Sequence, residues 1–277
     1  LNIDINSLEK AISKKTKMIV CVNLLGNPNY FSKIDSLVKG KDIILFEDNC
    51  ESMGATYNNK KAGTFGLIST TSTFFSHIIS TIEGGLILTD DEELYNIMLS
   101  LRAHGWTREI PEDNKIIKIN SDKFYEKFRF IYPGYNVRPT EIHAAIGSIQ
   151  LNKIENIVIE RRKNAKYFKD LFSNEKFIKI QSEVGESSWL GFSIIIEEGS
   201  KIKRKHLINE FDNNGIQSRP IVAGNIVKNE FFKYANYSSF EKLSSADLAH
   251  ENGLFIGNHG YDIKDSLDIV KNIINNL

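Results

Sequence analysis

Four short apolar runs limit what this chain can become. They are "MIVCV" at 18–22, "IILFED" at 43–48, "LISTTSTFF" at 67–75 and "GLILTD" at 85–90. Each is rich in β-branched or aromatic residues and too short for a core helix. The first two are apolar almost without interruption, as in strands buried on both faces. Between these two, Tyr30–Val38 has helical spacing. After the fourth, "DEELYNIMLSLRAHG" places acids in a first turn and Leu94, Ile97, Met98 and Leu101 on one face, and it stops at Gly105. Strand–helix–strand alternation of this kind predicts an α/β fold around a mainly parallel sheet covered on both faces.

The second half repeats the alternation on a smaller scale. A helical pattern runs from Thr140 to Phe172 with Ile142, Ala145, Ile146 and Ile149 as its apolar stripe. It predicts one long helix linking two domains. Beyond it, "SSWLGFSIIIEEG" reads as a strand and "RKHLINEFDNNGI" as a helix stopped by Gly215. "SRPIVAGN" reads as a strand and loop, and "KDSLDIVKNIINNL" as a helix burying Leu267, Val270, Ile274 and Leu277. The expected division is a large domain at 1–164, including the start of the linking helix, and a small C-terminal α/β domain at 165–277. The chain opens at Leu1 without a methionine, so it reads as lacking an N-terminal segment.

Charge and cysteine content exclude several classes. Lys and Arg number 35, as do Asp and Glu, which gives no basic footprint for nucleic acid. No apolar run is long enough to span a bilayer and no signal-peptide pattern is present, so the expected place is the cytoplasm, without a membrane partner. Cys21 and Cys50 lie in strand-like surroundings and are expected to be buried free thiols rather than a disulfide or metal site.

Two residues stand where chemistry is done. Asp48 closes the second run, and open α/β sheets bind ligands at the carboxyl ends of their strands. His77, in "TFFSHIISTIEGG", follows the third, and no lysine occurs between Lys61 and Lys115. Ser72, Ser76, Ser80 and Thr81 supply hydroxyls of the kind that hold phosphate, and Gly84-Gly85 lets backbone approach a ligand closely. On residue type alone, a capping or turn role stays open for Asp48 and a satisfied polar role for His77.

Five blocks carry a resemblance. "FEDNCESMGATYNNKKAGTFG", "STFFSHIISTIEGGLILT", "LRAHGWTRE", "YPGYNVRPTEIHAAIGSIQL" and "RPIVAGN" occur in this order. Together they resemble the sugar aminotransferases of the DegT/DnrJ/EryC1/StrS family, pyridoxal-phosphate enzymes of fold type I. At the place of His77 that family usually carries the lysine that captures the cofactor covalently. A histidine there resembles the deoxygenating branch, the nucleotide-sugar 3-dehydratases, whose members normally show a second histidine where this chain has Ile78. The resemblance implies removal of the C3 hydroxyl from a nucleotide-linked 4-keto-6-deoxy sugar, with His77 as the base. Imidazole forms no stable Schiff base, so pyridoxal phosphate and its amino form, pyridoxamine phosphate, would be held non-covalently.

The same resemblance assigns roles by position. Asp48 matches the acid that pairs with the pyridinium nitrogen, and Glu51 the residue near the ring's 3-hydroxyl. Ser72 matches the phosphate-binding serine, and Asn136 a residue that reaches the phosphate from the partner subunit of a homodimer. Arg138, His104, Arg108 and Arg219 are candidates for substrate binding. The CDP-linked members resemble an iron–sulfur enzyme needing four thiolates, and this chain has two cysteines. A GDP-linked, cluster-free member with glutamate as amino donor is therefore the better match. An inert or regulatory sugar-nucleotide-binding homologue and an ordinary aminotransferase are the alternatives.

Overall fold

The computed structural model describes residues 1–277. Helix α1 (Ile5–Ala11) is capped by Asp4, whose carboxylate accepts the Ser7 N–H. It leads into strand β1 (Met18–Val22), helix α2 (Phe31–Val38) and strand β2 (Ile44–Asp48). A small hairpin, β3 (Thr56–Tyr57) and β4 (Lys60–Lys61), precedes β5 (Ile68–Ser72) and β6 (Gly85–Leu88). The first sheet has the order β1-β2-β5-β6, with β1, β2 and β5 parallel and β6 antiparallel. Its register sets Val22 beside Asp48 and Asp48 beside Thr70. The carboxyl ends of the three parallel strands therefore share one edge.

This sheet departs from expectation in one respect. Ile19, Cys21 and Leu45 face a buried cluster with Phe31 and Ile34 of α2. The alternate residues Met18, Val20 and Val22 are open to solvent, as is every residue of β6. A continuous apolar run fits a two-sided strand, yet only one side is covered here.

Helices α3 (Glu92–Leu101), α4 (Lys123–Glu126), α5 (Glu141–Leu151) and α6 (Ile154–Phe172) follow. The expected single long helix is two, separated at Asn152-Lys153. The stripe read on its first half buries nothing, and Ile142 and Ile149 are 69% and 61% exposed. Helix α6 instead buries Val158, Ala165, Phe168 and Phe172.

The second sheet holds β7 (Ile178–Ile180), β8 (Gly191–Ile196), β9 (Ser218–Arg219) and β10 (Gly253–Gly257) in the order β7-β8-β10-β9, antiparallel throughout. Helices α7 (Arg204–Asn213), α8 (Ser244–Asn252) and α9 (Lys264–Asn276) complete it. α6, α7 and α9 close on a core of 16 buried residues that includes Phe168, Phe192, Ile194, Leu207, Phe211 and Leu267. Leu277 lies just past the end of α9 and is exposed rather than buried.

Backbone-directed hydrogen bonds join the two sheets. Asn27 donates to the Ser182 carbonyl at 2.7 Å and accepts the Val184 N–H at 2.8 Å. The Ser187 hydroxyl donates to the Gly26 carbonyl at 2.7 Å, and the Arg162 guanidinium donates to both the Gly54 and Ser187 carbonyls, at 3.4 and 2.9 Å. Gly26, at φ +95°, admits the close passage of the Trp189 backbone: a Cβ there would lie 2.3 Å from Trp189 N.

Candidate active site

The carboxyl edge of the first sheet is organised by a buried polar network. Glu47 is wholly buried. Its carboxylate accepts from Asn23 Nδ2 at 3.3 Å and from the backbone N–H groups of Gly63 at 2.7 Å, Gly66 at 2.8 Å and Phe65. Four donors meet one buried anion, which removes most of its desolvation cost and fixes the turn before β5. Asn23 also bonds Asn49 and accepts from Asn29, and the Ser52 hydroxyl donates to the Asn23 carbonyl at 2.5 Å. The neighbouring residues Asp48 and Glu51 are thereby held in fixed directions.

Asp48 is half-buried and accepts the Cys50 N–H at 3.1 Å. Glu51 accepts the Leu25 N–H at 2.7 Å, and burial pushes its carboxyl above the usual range, with the Asp48 charge adding to the effect. Ser72 ends β5, its hydroxyl accepting the Phe74 N–H at 3.1 Å.

The loop after β5 is pinned at its base. Thr73 and Thr81 share a hydroxyl–hydroxyl bond of 2.6 Å, and Thr81 N donates to the Thr73 carbonyl at 2.8 Å. Gly84, at φ +146°, would bring a Cβ to 2.8 and 2.9 Å from those two hydroxyls, so glycine is required there. The closed loop presents His77, half-buried and edge-on to Phe74 with ring centroids 5.8 Å apart. Its Nδ1 is buried without a hydrogen-bond partner. Burial pushes the imidazole pKa below 6.5, opposed by the Asp48 carboxylate. Ile78, beside it, belongs to an apolar cluster with Ile79 and Val158. A second histidine at that position would be buried among hydrocarbon, so the loop offers one imidazole.

His77 and Glu51 open into a cleft of about 1200 Å³ between the sheets. The far wall comes from the second sheet and includes Arg219, His259 and Tyr261. The sequence candidates thus fall into two groups. Asp48, Glu51, Ser72, His77 and Arg219 lie at the carboxyl edge or on the cleft wall. His104, Arg108, Asn136 and Arg138 are exposed and do not line it. His104 and Asn136 are neighbours on a separate arm, where Ala103 and Asn136 form a bridge and His104 N donates to the Tyr135 carbonyl at 2.7 Å. Arg108 lies over Trp106, 4.7 Å from the ring centroid.

The sequence reading missed Arg161, which borders the cleft while 7% exposed. Its signal was present: it stands three residues after Val158, four before Ala165 and seven before Phe168, on the buried stripe of α6. His259 also faces the cleft and stacks on Tyr261 with ring centroids 5.0 Å apart. Both cysteines are free, Cys21 buried and Cys50 half-buried rather than buried as expected, and burial pushes their thiols up to about 12 and about 11, which favours the protonated form. No helix is long and apolar enough to cross a membrane.

A sheet whose carboxyl edge carries a carboxylate, a hydroxyl and a pinned loop is the frame of a pyridoxal-phosphate enzyme of the aminotransferase type. The chain belongs to the DegT/DnrJ/EryC1/StrS aminotransferase family, whose model matches residues 1–273. It is 51% identical over 276 residues to GDP-4-keto-6-deoxy-D-mannose 3-dehydratase of Escherichia coli O55:H7, spanning 99% of this chain and 71% of that one. The enzyme of the same name from Yersinia pseudotuberculosis is 52% identical, with 99% and 70% covered. The E. coli enzyme solved with bound hydrated PLP superimposes with a TM-score of 0.96 at 51% identity, covering 99% of this chain and 71% of that one. Other structures of that enzyme carry a trapped PLP–glutamate geminal diamine, or, in a histidine-to-asparagine variant, bound GDP-perosamine. In a further variant that histidine and the serine before it become lysine and asparagine. Ser76-His77 is the one Ser-His step in the present chain.

Proposed function

We propose that this chain removes the C3 hydroxyl of a nucleotide-linked 4-keto-6-deoxy sugar, GDP-4-keto-6-deoxymannose or a close analogue, as its 51–52% identical relatives are named to do. The observation that carries the reading is His77: an imidazole with a buried, unpartnered Nδ1, in a pinned loop, where the family places a capturing lysine. The residues present fit pyridoxal or pyridoxamine phosphate held without a covalent bond. Asp48 would pair with the ring nitrogen, Glu51 would lie near the ring hydroxyl, and Ser72 would hold the phosphate. When bound, the cofactor supplies an electron sink that lets a C–O bond next to a ketone carbon break.

The protein's own part is proton handling. Because burial keeps His77 neutral, it is ready to take a proton near neutral pH. Once protonated it can donate to the departing C3 oxygen. With Ile78 in place of a second histidine, one imidazole serves both steps. Glutamate is the amino donor in this reading, in keeping with the glutamate adduct trapped in the relative.

Asn136, Arg138, His104 and Arg108 enter this scheme only from a second copy. The arm that carries them displays Phe124, Phe128, Tyr135 and Val137, 64–81% exposed, an apolar surface suited to a homodimer contact. Within each copy, residues 1–164 and 165–277 act as the large and small domains. The cytoplasm, where thiols stay reduced, is the place of action.

Product mass spectrometry tests the reading. The protein receives pyridoxal phosphate, glutamate and GDP-4-keto-6-deoxymannose. The expected product lacks one oxygen, and His77→Asn lowers its rate by roughly 10²- to 10⁴-fold. The acid limb of the wild-type rate profile is expected below pH 6.5, because burial lowers the pKa of His77. An amino-sugar product would replace dehydration with transamination.

A further inference from the structure

Arg161 is a buried cation with no anion. It is 7% exposed and forms no ion pair. Only Nη1 is engaged, donating to the carbonyls of Trp189 at 3.2 Å and Leu190 at 3.0 Å, while Nε is buried without a partner. A guanidinium taken from water and left unpaired is unstable unless something charged comes to it. Its position is over-determined: Asn258 donates to the carbonyls of Arg161 and Trp189 at 3.0 and 2.9 Å, and Asn164 Nδ2 donates to Asn258, His259 and Tyr261 oxygens. Asn258 thus anchors the Arg161 backbone, and the two Nη1 bonds hold the guanidinium at the cleft wall, away from any surface acid.

The cleft wall supplies no such acid. Asp262 is exposed, accepts the Lys264 N–H at 3.0 Å and pairs with its ammonium at 3.3 Å. Asp265 is exposed on the first turn of α9, and Glu51 is engaged by Leu25. His259 faces the same cleft, its pKa lowered by burial and by the Arg161 charge. Its ring is held by stacking on Tyr261, and its side-chain nitrogens make no hydrogen bond within the protein.

We infer that Arg161 and His259 form an oxyanion subsite in the cleft that holds a carboxylate of the amino donor. The inference rests on the dehydratase reading, in which glutamate must return the cofactor to its amino form in the cleft that also receives the sugar. A guanidinium on the cleft wall whose Nη2 has no partner within the protein suits a carboxylate. The exposed Arg219, on the outer wall, suits the phosphates of a nucleotide.

Glutarate, a dicarboxylate that cannot donate an amino group, is the probe. Its binding to the chain without cofactor is measured by calorimetry and by thermal shift, beside GDP and inorganic phosphate. Glutarate is expected to bind wild type and to lose roughly 10- to 100-fold in affinity in Arg161→Gln, with a smaller loss in His259→Asn. GDP affinity is expected to be unchanged in both. His259→Asn leaves the Asn258 and Asn164 bonds in place, so it decides the matter if Arg161→Gln does not fold.

With cofactor added, the glutamate half-reaction is followed by the change in cofactor absorbance. The expected result is a raised glutamate KM with little change in kcat. Unchanged glutarate binding in folded variants, or no binding to wild type, overturns the subsite. A loss of GDP or phosphate affinity in its place would assign Arg161 to the nucleotide and also overturn it. Glutarate bound through Arg161 with no glutamate half-reaction would keep the subsite and sink the dehydratase reading. A normal half-reaction with unchanged KM in the variants would do the reverse.

Discussion

The two sheets of this molecule are built to different ends. The antiparallel sheet β7-β8-β10-β9 is sealed: β8 is buried at five of six positions, and three helices close over it. The sheet β1-β2-β5-β6 is covered on one face by a cluster of seven buried residues and open on the other. Yet the open sheet carries Asp48, Glu51, Ser72 and His77. The site does not depend on the depth of the hydrophobic core beneath it. It depends on polar anchoring at one edge, where Glu47, Asn23, Asn49 and the Thr73–Thr81 pair leave few backbone groups free to move. The sealed sheet supplies the opposite wall of the cleft.

Paired truncations put this contrast under the largest load. Phe192→Ala, in the sealed core and wholly buried, is expected to cost about 3–5 kcal/mol. Val20→Ala, on the open face and 51% exposed, is expected to change stability by less than about 0.5 kcal/mol. Denaturant titration of the two variants measures both. Equal losses would mean that the open face is covered in solution, and the contrast between the sheets would fail.

A smaller effect tests the polar edge. Glu47→Gln keeps the shape but turns an amide NH₂ toward one set of the N–H groups that Glu47 now accepts. The expected cost is roughly 2–3 kcal/mol, with cofactor affinity falling alongside stability. Stability lost with cofactor affinity intact would separate the network from the site.

The smallest effect concerns Glu51. Burial holds its carboxyl above the ordinary value of 4.5, so the folded chain binds this proton more tightly than the unfolded chain. Stability therefore falls as pH rises from 4.5 through that raised value. Glu51→Gln lacks this fall while retaining an oxygen for the Leu25 N–H. Thermal melts from pH 4 to 7 should show the variant gaining on wild type as pH increases. A constant gap would mean that Glu51 is not held above its unfolded value.

Several features were legible in the sequence for local reasons. The strand pattern placed Asp48 at a strand end, because apolar runs end where polar residues begin, whereas Ser72 lay inside the run read at 67–75 and only the structure ends β5 there. The sequence marked Gly84-Gly85 as a place of close approach, but only the structure shows that what approaches Gly84 is the Thr73–Thr81 hydroxyl pair rather than a ligand. The single imidazole followed from Ile78. What sequence alone could not decide is which helical stripe finds a partner. The stripe of α5 looked like a core and is exposed, and the long helix is broken at Asn152-Lys153. Nor could it show that the candidates divide, with His104, Arg108, Asn136 and Arg138 on an exposed arm and the rest at the cleft. Arg161 is the clearest case. Its spacing from Val158, Ala165 and Phe168 sets it on one stripe of α6, but only the packing of α6 against Trp189 and Asn258 makes it a buried, unpaired cation facing the cleft. Periodicity and motif belong to the chain itself. Burial and the pairing of charges depend on residues far away in sequence, so the tertiary structure decides them.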